Sequence, residues 1–161
     1  MAASQLKAAF LHLSQHSVDS VQNGKTFTNW DEYMHVERPI ESKLKEKMKE
    51  IDNAGGGLVL LVGSAGDGKS HLISCIKKES DWGDGCFYND ATASSSPKKT
   101  AIDTLKEALV EFKDENLYKT TQKLVLAINL GILNALIDDE DFKKDYKEIV
   151  NSTSPIFDDG N

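Results

Sequence analysis

The sequence predicts an α/β fold in which a parallel sheet is covered by crossover helices. Two continuous aliphatic runs, residues 58–62 and 124–128, lack polar alternation, as strands covered on both faces do. Segments with helical spacing of apolar residues separate these runs from each other and from a short apolar piece at residues 86–88. Strands that alternate with helices are typical of parallel sheets. We therefore expect an α/β core at residues 57–161, preceded by a helical lead-in at residues 1–56.

The lead-in contains two segments with helical spacing. The first covers residues 4–15, with Ser4 at the N-cap position. Pro39 opens the second, and its apolar positions are expected on one face: Ile40, Leu44, Met48 and Ile51. The charged residues of this segment are expected on the opposite face, exposed to solvent. Asn53 and the glycines at 55–57 end the helix.

The remaining elements follow in alternating order. We expect helices at residues 71–78, 100–112, 129–137 and 138–150, and a short strand at 86–88. Residues 80–85 are a turn-rich loop, and residues 91–99 are a loop or a capped helix start. Ile156 and Phe157 could begin a further strand, so we expect the chain to be the N-terminal part of a longer protein.

Composition and charge exclude several classes of protein. The chain has 161 residues, 39% hydrophobic and 28% charged, as in a globular domain without a membrane span, and we expect it in the cytoplasm. Its 26 acidic against 19 basic residues make it a poor sequence-independent binder of nucleic acid. The two cysteines, Cys75 and Cys86, fit no zinc spacing and are interpreted as buried thiols in a reducing compartment.

The segment after the first aliphatic run carries the clearest motif. It fits the pattern G-x-x-x-x-G-K-[ST], the P-loop, with the residues Gly63, Ser64, Ala65, Gly66, Asp67, Gly68, Lys69 and Ser70. A phosphate-binding nest needs several backbone N–H groups to face inward, through positive-φ conformations that glycine adopts at little cost. The motif stands between an expected strand and an expected helix, which is the context that it requires.

This motif predicts ATP and Mg²⁺ as ligands. Lys69 would contact the β- and γ-phosphates, and the Ser70 hydroxyl would be a Mg²⁺ ligand. The alternative is a glycine-rich turn from strand to helix without any ligand. His71, which follows Ser70 in the same helix, is interpreted as a structural histidine.

A hydrolase also needs a carboxylate at the end of a second strand. The best aliphatic run ends in Asn129, whose amide can hydrogen-bond a water or a phosphate but brings no negative charge to a metal. Asp90, after the strand at 86–88, is the other weak candidate for catalysis and for Mg²⁺, and it could equally cap the following loop. The acidic residues 138–141 are interpreted as a solvated helix start. The catalytic carboxylate therefore stays unassigned.

Three stretches together resemble a known family. They read LLVGSAGDGKSHLI, FYNDATAS and LAINLGILNALI, and they are similar to the N-terminal ATPase region of the DptF family, also called DndF. This family belongs to the bacterial DNA restriction system that depends on phosphorothioation, a defence system. The resemblance covers residues 58–137 and implies an ATPase subunit that acts with companion restriction subunits and reaches DNA through their complex. Family members are much longer than this chain.

Two hypotheses follow for the activity. The first is a P-loop ATPase module of such a restriction complex. The second is a nucleotide-dependent interaction module with little intrinsic hydrolysis, favoured by Asn129 in place of a carboxylate. A small-molecule kinase ranks lower because Arg38 is the only arginine in the chain. The same scarcity predicts that any arginine that completes the site comes from a neighbouring subunit, in an oligomer or hetero-complex, or from sequence beyond this chain.

Overall fold

A parallel three-stranded sheet forms the centre of the computed structural model, which describes residues 35–89 and 100–158. Its strands are β1 (Gly57–Gly63), β2 (Phe87–Tyr88) and β3 (Lys123–Asn129). They lie in the order β1-β3-β2, so the strand that comes last in the sequence is in the middle. β3 pairs with β1 from Gly57 opposite Lys123 to Gly63 opposite Asn129. The prediction of an α/β chain with a parallel sheet is confirmed for the described residues.

Six α-helices surround the sheet in the described ranges. They are α1 (Pro39–Ala54), α2 (Lys69–Glu79), α3 (Ala101–Ala108), α4 (Leu130–Asp138), α5 (Glu140–Asp145) and α6 (Lys147–Asp158). Single 3₁₀ turns lie at Asp84–Cys86 and Val110–Phe112, so the helix predicted at 100–112 ends early, at Ala108. None of the described helices is both long enough and apolar enough to cross a bilayer.

The chain divides into two compact units, Met1–His35 and Val36–Asn161. His35 is the one residue of the first unit that the structure describes, so the helix expected at residues 4–15 lies outside the described residues. The domain boundary expected after residue 56 stays a prediction. Everything described below belongs to the second unit.

Alternate residues of β3 build two separate apolar layers. Val125 and Ala127 pack with α1 and α2 through Leu44, Met48, Leu72, Ile73 and Ile76. Leu124, Leu126 and Ile128 pack with α3 to α6 through Leu105, Leu133, Leu136, Phe142 and Ile149. Because both faces of the strand are covered, its sequence is continuously aliphatic, as parallel strands commonly are.

The buried stripe of α1 differs from the prediction at its first position. Ile40 is 43% exposed, whereas Glu41 is 1% exposed. The stripe runs through Glu41, Leu44, Met48 and Ile51, with steps of three, four and three residues that follow one helix face. The Lys45 ammonium donates to Glu41 Oε1 at 3.1 Å and to Glu79 Oε2 at 2.7 Å, and these hydrogen bonds raise the pKa of Lys45. The Lys45–Glu79 pair joins α1 to the end of α2, whereas the Lys45–Glu41 pair lies within α1.

The charged segment predicted as one helix at 138–150 is two helices, α5 and α6. Asp114, distant in sequence, accepts hydrogen bonds from the backbone N–H groups of Lys147 at 2.8 Å and Glu148 at 3.2 Å. It therefore caps a new helix start just after Tyr146, which leaves the helical conformation at φ −133° and ψ 47°. α6 then runs through Pro155 to Asp158, so the strand expected at Ile156 and Phe157 is wrong.

Candidate functional site

The segment of residues 63–70, called the glycine-rich loop below, connects β1 to α2. Gly63 is the last residue of β1 and Lys69 the first of α2. Gly66 has φ +87° and Gly68 has φ +75°, in the left-handed region that residues with side chains rarely adopt. The four residues between Gly63 and Gly68 are exposed, so the loop opens to solvent.

The start of α2 is suited to an anion. The first N–H groups of a helix have no partner within the helix, and a side chain at the N-cap usually satisfies one of them. Gly68 occupies that N-cap position and has no side chain. The first turn of α2 contains no acidic residue, so no carboxylate there offsets the positive end of the helix dipole. An anion can therefore bind at this helix start through backbone N–H groups.

The side chains of the glycine-rich loop fold back onto its own backbone. The Lys69 ammonium donates to the main-chain oxygen of Ser64 at 2.6 Å. The Ser64 N–H donates to Asp67 Oδ2 at 2.5 Å. A Cβ at Gly63 would lie 2.6 Å from that carboxylate oxygen and 3.5 Å from Lys69 Nζ. The ammonium and the carboxylate both lie beside Gly63, so a side chain at this position would require the Asp67 carboxylate to move.

Ser70 and His71 occupy the first turn of α2. Ser70 is half-buried, and its main-chain oxygen accepts a hydrogen bond from Ser74 Oγ at 2.9 Å. His71 Nε2 lies 3.5 Å from the Sγ of Cys75, one turn further along the helix. Cys75 is 3% exposed, as predicted, whereas Cys86 is half-buried.

Asn129 lies beside the glycine-rich loop. It is the last residue of β3 and pairs with Gly63 across the sheet. Its Oδ1 accepts a hydrogen bond from the Gly131 N–H at 2.8 Å, so the side chain caps α4. The structure thus brings two of the predicted site segments together, and it gives Asn129 a helix-capping contact that the sequence prediction did not include.

The helices that follow these two neighbouring strands leave to opposite faces of the sheet. α2, after β1, packs on the face that carries Val125 and Ala127, and α4, after β3, packs on the other face. Where adjacent parallel strands send their connections to opposite faces, a crevice opens outside the carboxyl ends of the strands, and ligands bind there in α/β proteins. By this rule a ligand crevice is expected at the ends of β1 and β3, beside Gly63 and Asn129.

The other acidic candidates are distributed differently. Asp90 lies outside the described residues, two positions after β2, whose Tyr88 pairs with Leu126 of β3. Asp139 caps α5 through the Phe142 N–H at 2.9 Å and pairs with Lys106 at 2.6 Å. These hydrogen bonds, that from Lys106 first, lower the pKa of Asp139. A helix start is found at residues 139–141, whereas Asp138 is the last residue of α4 and Asp139 is half-buried.

One residue of the site was not predicted from the sequence. Arg38, at the N-cap position of α1, donates from Nη1 to the main-chain oxygen of Asp67 at 2.8 Å and from Nη2 to that of Gly68 at 3.1 Å. The sequence offered one signal, since this is the single arginine of the chain and stands directly before the proline that opens α1. Spacing alone could not connect it to a loop about 30 positions later.

Comparison of the chain with protein-family models, with curated proteins and with solved structures gives no match. The features from which a function can be argued are therefore geometric. They are the glycine-rich loop, the start of α2 without a side-chain cap, the position of Asn129 beside the loop and the contact from Arg38.

Proposed function

We propose that this chain is a P-loop nucleotide-binding module that holds the polyphosphate of ATP in the crevice between Gly63 and Asn129. The observation that carries the proposal is the glycine-rich loop itself, which joins a parallel strand to a helix whose first amides have no N-cap side chain. Backbone N–H groups and the helix dipole attract a phosphate chain there without further charged residues.

Lys69 supplies the mobile positive charge of the site. In the structure its ammonium donates to the Ser64 oxygen. When ATP binds, the ammonium exchanges this neutral acceptor for the β- and γ-phosphate oxygens, which are charged and form stronger hydrogen bonds. The carbonyl of Ser64 thus keeps the ammonium next to the loop before the ligand arrives.

Ser70 fits the role of a magnesium ligand. It lies in the first turn of α2, one residue after Lys69, at the end of the helix that faces the loop. A bound Mg²⁺ would neutralise charge on the β- and γ-phosphates. Ser70 would hold it through its hydroxyl oxygen, a hard ligand of the type that Mg²⁺ prefers.

Isothermal titration calorimetry with Mg²⁺ and ATP tests this proposal. We expect the wild-type chain to bind, and Lys69→Ala to weaken binding by roughly 10- to 100-fold, because a hydrogen bond to a charged group contributes about 1.5–3 kcal/mol. Lys47→Ala is the matched control, since this lysine of α1 has 60% of its side chain exposed and pairs with Glu50. A folded wild-type sample that gives no heat of binding would contradict the proposal, and so would a Lys69→Ala variant with unchanged affinity.

The wider proposal is an ATPase module of a phosphorothioation-dependent DNA restriction complex in the cytoplasm. Its support is the resemblance of residues 58–137 to the DptF family together with the phosphate-binding geometry. An arginine from a companion subunit or from a second copy would complete the site in this case, because Arg38 is bound to the loop backbone. ATP turnover that rises with protein concentration or with added companion subunits is the expected result. Turnover per chain that changes neither with protein concentration nor with added companion subunits would contradict this wider proposal.

A second candidate function has an observation of its own. The residue opposite Gly63 is Asn129, an amide that caps α4 and brings no negative charge to a metal. A module that binds ATP and changes its contacts with a partner, with little hydrolysis, suits this arrangement. The two candidates separate in an assay with the companion subunits present: a module of this second kind binds ATP but releases phosphate no faster than Lys69→Ala even then. Turnover clearly above that background favours the ATPase.

A further inference from the structure

Arg38 reaches the glycine-rich loop from the side of α1. Its two terminal nitrogens donate to the carbonyls of two successive residues, Asp67 at 2.8 Å and Gly68 at 3.1 Å. A guanidinium is planar and offers several N–H groups in a fixed arrangement, so it can bind two neighbouring acceptors at once. The side chain is half-buried. The contact therefore holds the Asp67 carbonyl, and it adds a second donor to the Gly68 carbonyl, which also accepts the Leu72 N–H at 3.0 Å as the first hydrogen bond of α2.

Fixing these carbonyls also fixes two N–H groups. The Asp67 carbonyl and the Gly68 N–H belong to one peptide group, and the Gly68 carbonyl and the Lys69 N–H belong to the next. In a trans peptide the C=O and the N–H point in opposite directions. Because Arg38 holds both oxygens on its own side, the N–H groups of Gly68 and Lys69 face away from it, at the start of α2. A hydrogen bond to a carbonyl also polarises its peptide group, which strengthens the N–H as a donor.

Gly68 provides the space for this contact. A Cβ at Gly68 would lie 3.2 Å from Arg38 Nη1, and the residue has φ +75°. Gly68 therefore has two roles in the loop. It adopts the left-handed conformation that the turn needs, and it lets the guanidinium approach the backbone.

We propose that Arg38 is a positioning residue that preforms the loop for the polyphosphate chain. By binding the carbonyls of Asp67 and Gly68, it orients the N–H groups of Gly68 and Lys69 toward the phosphates. This inference rests on the proposed nucleotide binding. It also states the class of ligand that the loop recognises: a Mg²⁺-bound polyphosphate chain, with or without an attached nucleoside. Arg38 acts through the backbone and not by touching the phosphates. Its loss consequently affects ATP and inorganic tripolyphosphate to the same extent.

The test compares wild type, Arg38→Ala, Arg38→Lys and the control Lys47→Ala by calorimetry with Mg²⁺ and either ATP or tripolyphosphate. We expect Arg38→Ala to weaken the affinity for both ligands by the same factor, about 5- to 50-fold, a little below the loss of a direct charged contact. Arg38→Lys keeps the positive charge but not the planar group that binds two acceptors at once, so its affinity should fall less than that of Arg38→Ala. The affinity of Lys47→Ala should equal that of wild type. Guanidinium ion at millimolar concentration restores part of the affinity of Arg38→Ala.

A second readout follows the loop without any ligand. Amide hydrogen exchange of Gly68 and Lys69 is expected to be faster in Arg38→Ala than in wild type, while amides of β3 are unchanged. If Arg38→Ala does not fold, Arg38→Lys decides by the same two measurements. Wild type that binds neither ligand overturns the proposed function and this inference with it. Wild type that binds both, with an Arg38 variant equal to it in affinity and amide exchange, overturns the role of Arg38 alone, as does a loss confined to ATP.

Discussion

Asn129 faces Gly63 across the sheet, and its side-chain oxygen caps α4 by accepting the Gly131 N–H at 2.8 Å. One residue therefore begins a helix and borders the glycine-rich loop. A Cβ at Gly131 would lie 3.3 Å from the same oxygen, so the cap is closely packed. Substitutions of Asn129 are expected to change the stability of the chain and its binding of Mg²⁺ separately.

Asn129→Ala removes the cap and Asn129→Asp keeps it. We expect the alanine variant to lose about 1 kcal/mol of unfolding free energy in urea titrations, the usual cost of losing an N-cap side chain. The aspartate variant should retain the stability of wild type, because aspartate caps a helix as well as asparagine does. Its carboxylate adds a negative charge beside the loop, so its affinity for ATP should depend more steeply on Mg²⁺. A loss of stability in the aspartate variant equal to that of alanine would speak against the capping role.

Asp67 places a carboxylate inside the glycine-rich loop, where it accepts the Ser64 N–H. A polyphosphate chain brings several negative charges close to it, and like charges repel. We expect Asp67→Asn to raise the affinity for Mg²⁺ and ATP by several-fold, measured by calorimetry at low ionic strength, with a smaller gain at high salt.

The control for this variant is Asp81→Asn. Asp81 is exposed and follows the far end of α2, so it changes the net charge equally at a distance from the loop. Its effect on affinity should be negligible. Equal effects of the two variants would show that net charge, and not the carboxylate in the loop, governs binding.

Stability should fall in acid because several aspartates form native hydrogen bonds. The Lys106 ammonium lowers the pKa of Asp139, and the Lys123 ammonium, with Trp82, lowers that of Asp52. Such a carboxyl group binds protons less readily in the folded chain than in the unfolded one. Its contribution is therefore present above the ordinary aspartate pKa of about 3.9 and is lost as the pH falls through the lowered folded value.

Urea midpoints measured between about pH 5 and pH 2 check this expectation. Asp139→Asn should make the urea midpoint fall less steeply with decreasing pH. It should keep the cap of α5, since asparagine accepts the Phe142 N–H equally well. Asp141→Asn, exposed on the same helix, should leave the curve unchanged. A wild-type urea midpoint that rises toward pH 2 would contradict the stabilising role given to the hydrogen-bonded carboxylates of Asp139 and Asp52.

Leu126 lies in the middle of the central strand and is 0% exposed. Its truncation to alanine leaves a cavity between the sheet and α3 to α6, so we expect a loss of roughly 2–5 kcal/mol in unfolding free energy. Tyr118→Ala, with 86% of the residue exposed, should change stability by no more than about 0.5 kcal/mol. A loss below about 1 kcal/mol for Leu126→Ala would place this residue outside a tightly packed core.

The parts of the fold that depend on local pattern were predictable. The aliphatic runs at 58–62 and 124–128 form β1 and β3, whose residues pack into both apolar layers, fully buried in β3 and mostly partly buried in β1. The helix start at Pro39 and its end at Gly55, which has φ 87°, follow from residue types with strong backbone preferences. The same holds for the glycine-rich loop.

The parts that depend on contacts distant in sequence were not predictable. Asp114 caps α6 from more than 30 positions away, and this contact divides a charged segment that has one continuous helical pattern. Arg38 binds carbonyls, which leave no trace in the sequence of the loop. A further difference is local: Glu41 is 1% exposed and pairs with Lys45 one turn later, whereas charge alone predicts an exposed position.

The strand order has a consequence during synthesis. Within the described part of the chain, β3 is the shared neighbour of β1 and β2, yet it leaves the ribosome last of the three. Until Lys123–Asn129 emerges, the two earlier strands have apolar edges with no neighbour to pair with, and such edges invite association between nascent chains. Translation that stops before residue 123 should therefore yield insoluble product, and a chaperone would be needed in that interval more than at any other.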